Sequence, residues 1–274
     1  MNFQRIVSVA AAMAFSLGIS AFFAHPAKAA GRYRDSSGPS GFGTNVPVSG
    51  GIAMPGSTTA TFTNPAGLVG NHSERLSAQA GSTHPMDNPN YRALALVGNG
   101  MFGASGGVDY YVPDNGPSQG DAVYGLAVDV SALDLALGVS GRSGIKGSKG
   151  TDFNAGLLFA PMQYFTIGAT AFGLKGNVDS YGLGVGLNLA PGVDLVGDSV
   201  FDTHFKNPEF KPGIKFSNAD AGLSVSYGTG ATEQFAKNVS AAAYFRVGMN
   251  SEIDFEYNHG GDLSKYYAAL SFGF

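Results

Sequence analysis

The chain has no cysteine, so histidines, hydroxyls and carboxylates must carry any chemistry. Beyond the amino-terminal segment the histidines are His72, His84, His204 and His259, scattered along the sequence near strand ends and loops. A hydrolase needs a nucleophile or an activated water with a base in hydrogen-bond reach. Neither G-x-S-x-G nor H-E-x-x-H occurs, and His259 beside Asp262, the single local pair, reads as a solvated loop. An enzyme is therefore not expected, and no spacing points to a metal or a cofactor. Gly182, Gly184 and Gly186 contain a G-x-G, but strict period two on one face describes a strand, not a phosphate loop. What remains is a set of charges that recur at alternate positions: Asp129, Asp134, Asp194, Asp198, Arg246, Glu252, Asp254 and Glu256. Their neighbours are apolar, which predicts strands with an oily face and a polar face.

The last nine residues state that pattern most clearly. Tyr266, Ala268, Leu270, Phe272 and Phe274 share one face, and Tyr267, Ala269, Ser271 and Gly273 share the other. An apolar row with aromatic ends, closing on a carboxy-terminal Phe, suits the last strand of a transmembrane β-barrel. Composition agrees. Only 13% of residues are charged and 44% are hydrophobic, poor material for a water-facing surface, and Gly, at 41 of 274, is about twice its usual share. The net charge of −4 offers no basic footprint, so nucleic acid is not an expected partner.

Residues 1–29 read as a secretory signal peptide, with a basic start, an apolar run from Ile6 to Ala24 and Ala27-Lys28-Ala29 before the cut. Residues 30–72, rich in Gly, Ser and Pro, read as irregular backbone, either a free tail or a plug inside a pore. From residue 73 to 274, segments of about ten residues alternate with turn clusters, the signature of an all-β transmembrane antiparallel barrel. The walk back from the end gives about fourteen strands, with twelve also admissible. Short connections such as Ala160-Pro161-Met162 and Ser217-Asn218 alternate with longer polar ones such as His84–Asn90 and Arg142–Gly150. That alternation predicts periplasmic turns and extracellular loops, in the outer membrane of a Gram-negative type cell. Membrane lipid is then one partner, and the assembly machinery that reads a terminal strand ending in Phe274 is another.

Faces follow from alternation. On 121–131, Tyr124, Leu126, Val128 and Val130 point out and Asp129 points in; on 132–141, Leu133 to Val139 point out and Asp134 points in. A two-residue turn at Ser131-Ala132 would set Asp129 directly opposite Asp134, a like-charge pair that needs compensation. On 237–248 and 250–258 the inward set includes Arg246, Glu252, Asp254 and Glu256, and Asp194 and Asp198 join it. The expected lumen is polar and mostly acidic, with Arg246 bridged to the carboxylates of the next strand.

Ahead of the first strand runs Ser57-Thr58-Thr59-Ala60-Thr61-Phe62-Thr63-Asn64-Pro65-Ala66-Gly67-Leu68. A run of small residues ending in Asn-Pro-Ala, just before the barrel, resembles the long-chain fatty acid outer-membrane transporter family (FadL-like). The resemblance is specific over about twelve residues and implies a fourteen-strand barrel. In that family the amino-terminal segment forms a luminal hatch, here 30–72, carrying Asn64, Pro65 and Ala66. It further implies a kink in the third strand that opens the wall sideways. Gly103, Gly106 and Gly107 on 101–112 are the candidates. This chain is much shorter than typical members, and its loops are too short to build their large outer groove. The function implied is passage of small hydrophobic molecules such as fatty acids; the alternative is a narrow general-diffusion porin for small polar or cationic solutes.

Overall fold

The structure, a computed structural model, describes residues 51–56, 59–70, 74–84, 89–112, 118–146, 151–175, 178–205, 209–218, 220–229, 238–247, 251–260 and 263–274. The signal peptide, residues 30–50 of the expected hatch, His72 and Asp262 lie outside them.

Fourteen strands close into one antiparallel barrel. They are β1 (Arg75–His84), β2 (Asn90–Gly98), β3 (Phe102–Tyr111), β4 (Gln119–Val130), β5 (Leu135–Lys146), β6 (Thr151–Met162) and β7 (Phe165–Phe172). The second half comprises β8 (Ser180–Ala190), β9 (Val193–Asp202), β10 (Glu209–Ser217), β11 (Ala221–Gly228), β12 (Asn238–Val247), β13 (Ser251–Gly260) and β14 (Leu263–Gly273). Each strand pairs with its sequence neighbours, and β1 closes on β14 with Arg75 opposite Gly273. Closure removes the free edges that an open sheet would expose. In a bilayer it also satisfies every wall amide without water.

The outward rows are apolar as their alternation requires. Leu126 and Val128 of β4, Leu137 and Val139 of β5, Leu183 and Val185 of β8, and Leu270 and Phe272 of β14 are all exposed. Several turns are fixed by single side chains. At the β2–β3 turn, Asn99 Oδ1 accepts the N–H groups of Met101 and Phe102 at 3.0 and 2.9 Å, and Gly100 takes φ +82°. Asn218 does the same between β10 and β11, accepting from Asp220 and Ala221 at 2.8 Å each.

Two expectations fail here. The chain does not turn in two residues after Val130. Ser131–Leu133 form a short 3₁₀ turn, and Asp134 adopts a left-handed φ of 54°. Aspartate tolerates that conformation better than most residues. β5 therefore starts at Leu135, and Asp129 pairs with Ala136, not Asp134. The Asp129 carboxylate instead accepts the Ser131 hydroxyl at 2.6 Å. The second failure is the opening in β3. Gly103, Gly106 and Gly107 are paired without interruption to Gly98, Ala95 and Leu94 of β2 and to Ala127, Tyr124 and Val123 of β4. The wall is closed along this strand.

Candidate transport site

Residues 51–56 and 59–70 lie inside the barrel and carry their own local structure. The Thr59 hydroxyl donates to the Gly56 carbonyl at 3.2 Å, and Ala60, Phe62 and Thr63 continue a tight turn. Asn64 then nucleates the next piece. Its Oδ1 accepts the Ala66 N–H at 3.2 Å, an Asx turn, and Pro65 with its preset φ opens the 3₁₀ helix Pro65–Gly70. The other end of the Asn64 amide ties the segment down: Nδ2 donates to the Ile52 carbonyl at 2.7 Å and to the Leu157 carbonyl of β6 at 3.0 Å. Asn64 is fully buried, so these bonds satisfy a side-chain amide that water does not reach.

This luminal segment sits against β2–β9. Ala60, Ala66, Leu68 and Val69 pack on Leu94 and Leu96 of β2, Val123 and Ala127 of β4, Ala136 of β5 and Leu158 of β6. Glycines let the two backbones meet. A Cβ at Gly138 would collide with the Pro65–Ala66 backbone, one at Gly103 with the Leu68 carbonyl, and one at Gly168 with Ile52. The glycine row read from β8 has the same cause, because Gly184 and Gly186 face Ala53 and Met54. Polar anchors complete the seat. The Ile52 N–H donates to Asp198 Oδ1 at 3.1 Å, and the Thr61 hydroxyl donates to Ser105 Oγ at 2.7 Å.

The opposite wall, β10–β14 with β1, presents Lys211, Lys215, Ser224, Ser226, Ser240, Glu252, Asp254, Glu256, Asn258 and Gln79, all buried. Lys211 stands opposite Asp198 and Lys215 opposite Asp194 in the β9–β10 ladder. Glu252 lies 3.7 Å from both Arg75 and Arg246. Asp194 also accepts the Asn188 amide. Arg75, Arg92, Arg142, Lys211 and Lys215 join Arg246 on the inner face, so the carboxylates of the lumen have more basic partners than the single arginine named from the sequence. The sequence held that signal, since Phe210, Ile214 and Phe216 facing out force Lys211 and Lys215 in. Alternation in 91–98 likewise puts Arg92, Leu94 and Leu96 inside.

At the end where the longer connections lie, the luminal segment floors a vestibule of about 610 Å³. Phe62 forms part of the floor, and the Arg92 guanidinium stacks on its ring at 3.6 Å. Arg92 binds Asp109 at 3.1 Å, and Arg142 joins Asp109 at 3.2 Å and Asp121 at 3.4 Å. None of these groups was singled out from the sequence, because each is one charge in a different strand and only closure brings them together. Of the histidines, His204 sits in the β9–β10 connection and His259 stacks on Tyr257 at the outer face of β13. Among the described residues no group of three or more His, Cys, Asp or Glu is placed to hold a metal.

No family model and no curated protein matches this chain. Solved structures do share its fold. The Pseudomonas putida toluene transporter TodX matches with a TM-score of 0.58 at 10% identity, covering 88% of this chain and 99% of that one. The monoaromatic hydrocarbon channel CymD matches at 0.54 and 10% identity, over 90% and 97% of the two chains. The Acinetobacter baumannii outer membrane protein Omp33 matches at 0.55 and 9% identity, over 74% and 98%. At such identities the likeness is one of fold, and the fold is the fourteen-strand barrel that the Asn-Pro-Ala resemblance implied.

Proposed function

We propose that this chain is a plugged outer-membrane channel of the FadL-like kind that admits small hydrophobic molecules. The observation that carries this reading is the seated luminal segment. Asn64 of the Asn-Pro-Ala motif bonds the wall at Leu157, apolar side chains fill the seat, and a vestibule of about 610 Å³ lies above. That volume is in the range of small-molecule sites, about 300–1,000 Å³. Phe62, Phe172 and Tyr111 give it apolar surface. The toluene transporter TodX and the hydrocarbon channel CymD, which share the fold, support a substrate of that size. A long-chain fatty acid fits less well, since its carboxylate would meet the vestibule aspartates. With β3 sealed, exit runs past the segment at the short-turn end, not through the wall. Outer-membrane residence, removal of residues 1–29 and delivery through the terminal strand belong to the same reading.

A second reading, the narrow porin, draws on the charged wall of β10–β14 and β1, which an oily solute does not need. Uptake of labelled toluene by cells expressing the full chain, alongside ion conductance of the purified protein in planar bilayers, separates them. Toluene entry above the empty-vector rate with little resting conductance supports the plugged channel. Steady conductance without toluene entry, from correctly folded protein, overturns it in favour of the porin.

A further inference from the structure

We propose that the vestibule recognises small organic cations, protonated amines that carry a compact aromatic or aliphatic group, in preference to neutral or anionic molecules of the same shape. The inference deepens the channel reading above and rests on it. It concerns which molecules the same vestibule holds.

The charges are unequal. Among the described residues four carboxylates line the cavity: Asp109, Asp121, Asp152 and Asp179. Against them, among the same residues, stand two guanidiniums, and both are committed. Arg92 is sealed between the Phe62 ring and Asp109, with no side-chain exposure. Arg142 is shared by Asp109 and Asp121 and faces Asp152 across the β5–β6 ladder. The nearby Lys146 is turned away, donating to Tyr110 and Ser118. Asp152 and Asp179 hold the excess. Asp152 accepts only the adjacent Phe153 N–H at 2.8 Å among the hydrogen bonds described. Asp179 lies against Gly173, where a Cβ would collide with its carboxylate.

The apolar part of the cavity adds a second requirement. Phe172 and Tyr111 border the same space as these carboxylates, above the Phe62 floor. A ring or short chain seats on them, and its ammonium reaches the carboxylates; an aromatic face also attracts a cation directly. A carboxylate ligand would meet like charge, and partial burial weakens the solvent screening that makes such contacts tolerable in water.

Calorimetric titration of the purified full chain in detergent micelles, with benzylammonium, benzyl alcohol and benzoate, tests this directly. Benzylammonium should bind about tenfold tighter than benzyl alcohol, the sum of two partly screened ion pairs, with benzoate weakest. In the double variant Asp152→Asn and Asp179→Asn, benzylammonium should lose its advantage over benzyl alcohol measured in the same variant. Benzoate equal to or tighter than benzylammonium in the native protein overturns the proposal without any variant. So does a double variant that retains the preference. Flux of the three compounds into proteoliposomes keeps the two readings apart. Binding order preserved without flux of any compound sinks the channel, and flux without preference sinks the cation site.

Discussion

The two halves of the inner wall are built by the same strand geometry and hold opposite chemistry. Where β2–β9 lie under the luminal segment, the inward positions are mainly glycine, alanine, leucine and valine, and backbone lies against backbone. Along β10–β14 and β1 they are serine, asparagine, lysine and glutamate. A lumen-facing position has no fixed preference of its own; its residue is set by what stands in front of it. Where protein stands there, the wall is a core, with the tight packing and intolerance of added volume that cores show. Where side chains meet each other across strands, the wall is a buried set of charges and hydroxyls that must satisfy one another.

That contrast can be broken at several points, and the largest effect belongs to the glycines. Gly138→Val should drive a branched side chain into the Pro65–Ala66 backbone, costing about 1–3 kcal/mol and displacing the segment. Conductance in planar bilayers should rise several-fold, whereas Ala242→Val on the opposite wall should leave it near the native value. If both variants behave alike, the halves are not distinct.

Asn64→Ala comes next. It removes the bonds to Ile52 and Leu157 and the Asx turn, leaving buried carbonyls without a donor at about 1–3 kcal/mol. A Cys at Thr61 should then react faster with a small thiol reagent, and an unchanged rate would deny Asn64 its anchoring role. Asp198→Ala should have a smaller effect in the same assay, since it takes an acceptor from the Ile52 and Ala53 N–H groups but leaves the Asx turn and the Leu157 bond in place; about 1 kcal/mol is expected.

On the polar wall, Glu252→Gln should alter thermal stability by about 1 kcal/mol at most, since both its ion pairs are 3.7 Å long and the Arg246 side chain is 40% exposed. The smallest effect is expected for Asp129→Asn. Its carboxylate faces Ala136 and the Ser131 hydroxyl, so thermal stability should not shift measurably. A marked change there would restore a charged partner for Asp129.

How much of this was legible in the sequence follows from what alternation encodes. The outward rows, the fourteen strands and the inward acids of β13 all follow from period two, because lipid rejects charge at every second position. Alternation does not encode where a strand stops, so Asp134 was read as a strand residue although its left-handed φ makes it a corner. The glycines of β3 were legible as a cluster but not as to cause. Gly103 clears the Leu68 carbonyl and Gly107 clears the Ala93 carbonyl of the neighbouring strand, so neither marks a break. The vestibule was invisible, since Asp109, Asp121, Arg142 and Arg92 come from four strands that only closure assembles.

The seam of the barrel bears on how the chain is put together. Arg75 meets Gly273, so the last ladder joins the first strand to the final one, nearly two hundred residues away. The luminal segment precedes β1 in sequence, and its contacts described above fall on β2–β9, away from both partners of that seam. It can therefore settle on a curled, unfinished sheet and act as a mandrel for the strands that follow, so that the barrel closes around an occupant already in place. Contacts this distant in sequence form slowly, and a mandrel that holds more than half of the wall at the right curvature shortens the search left to β14.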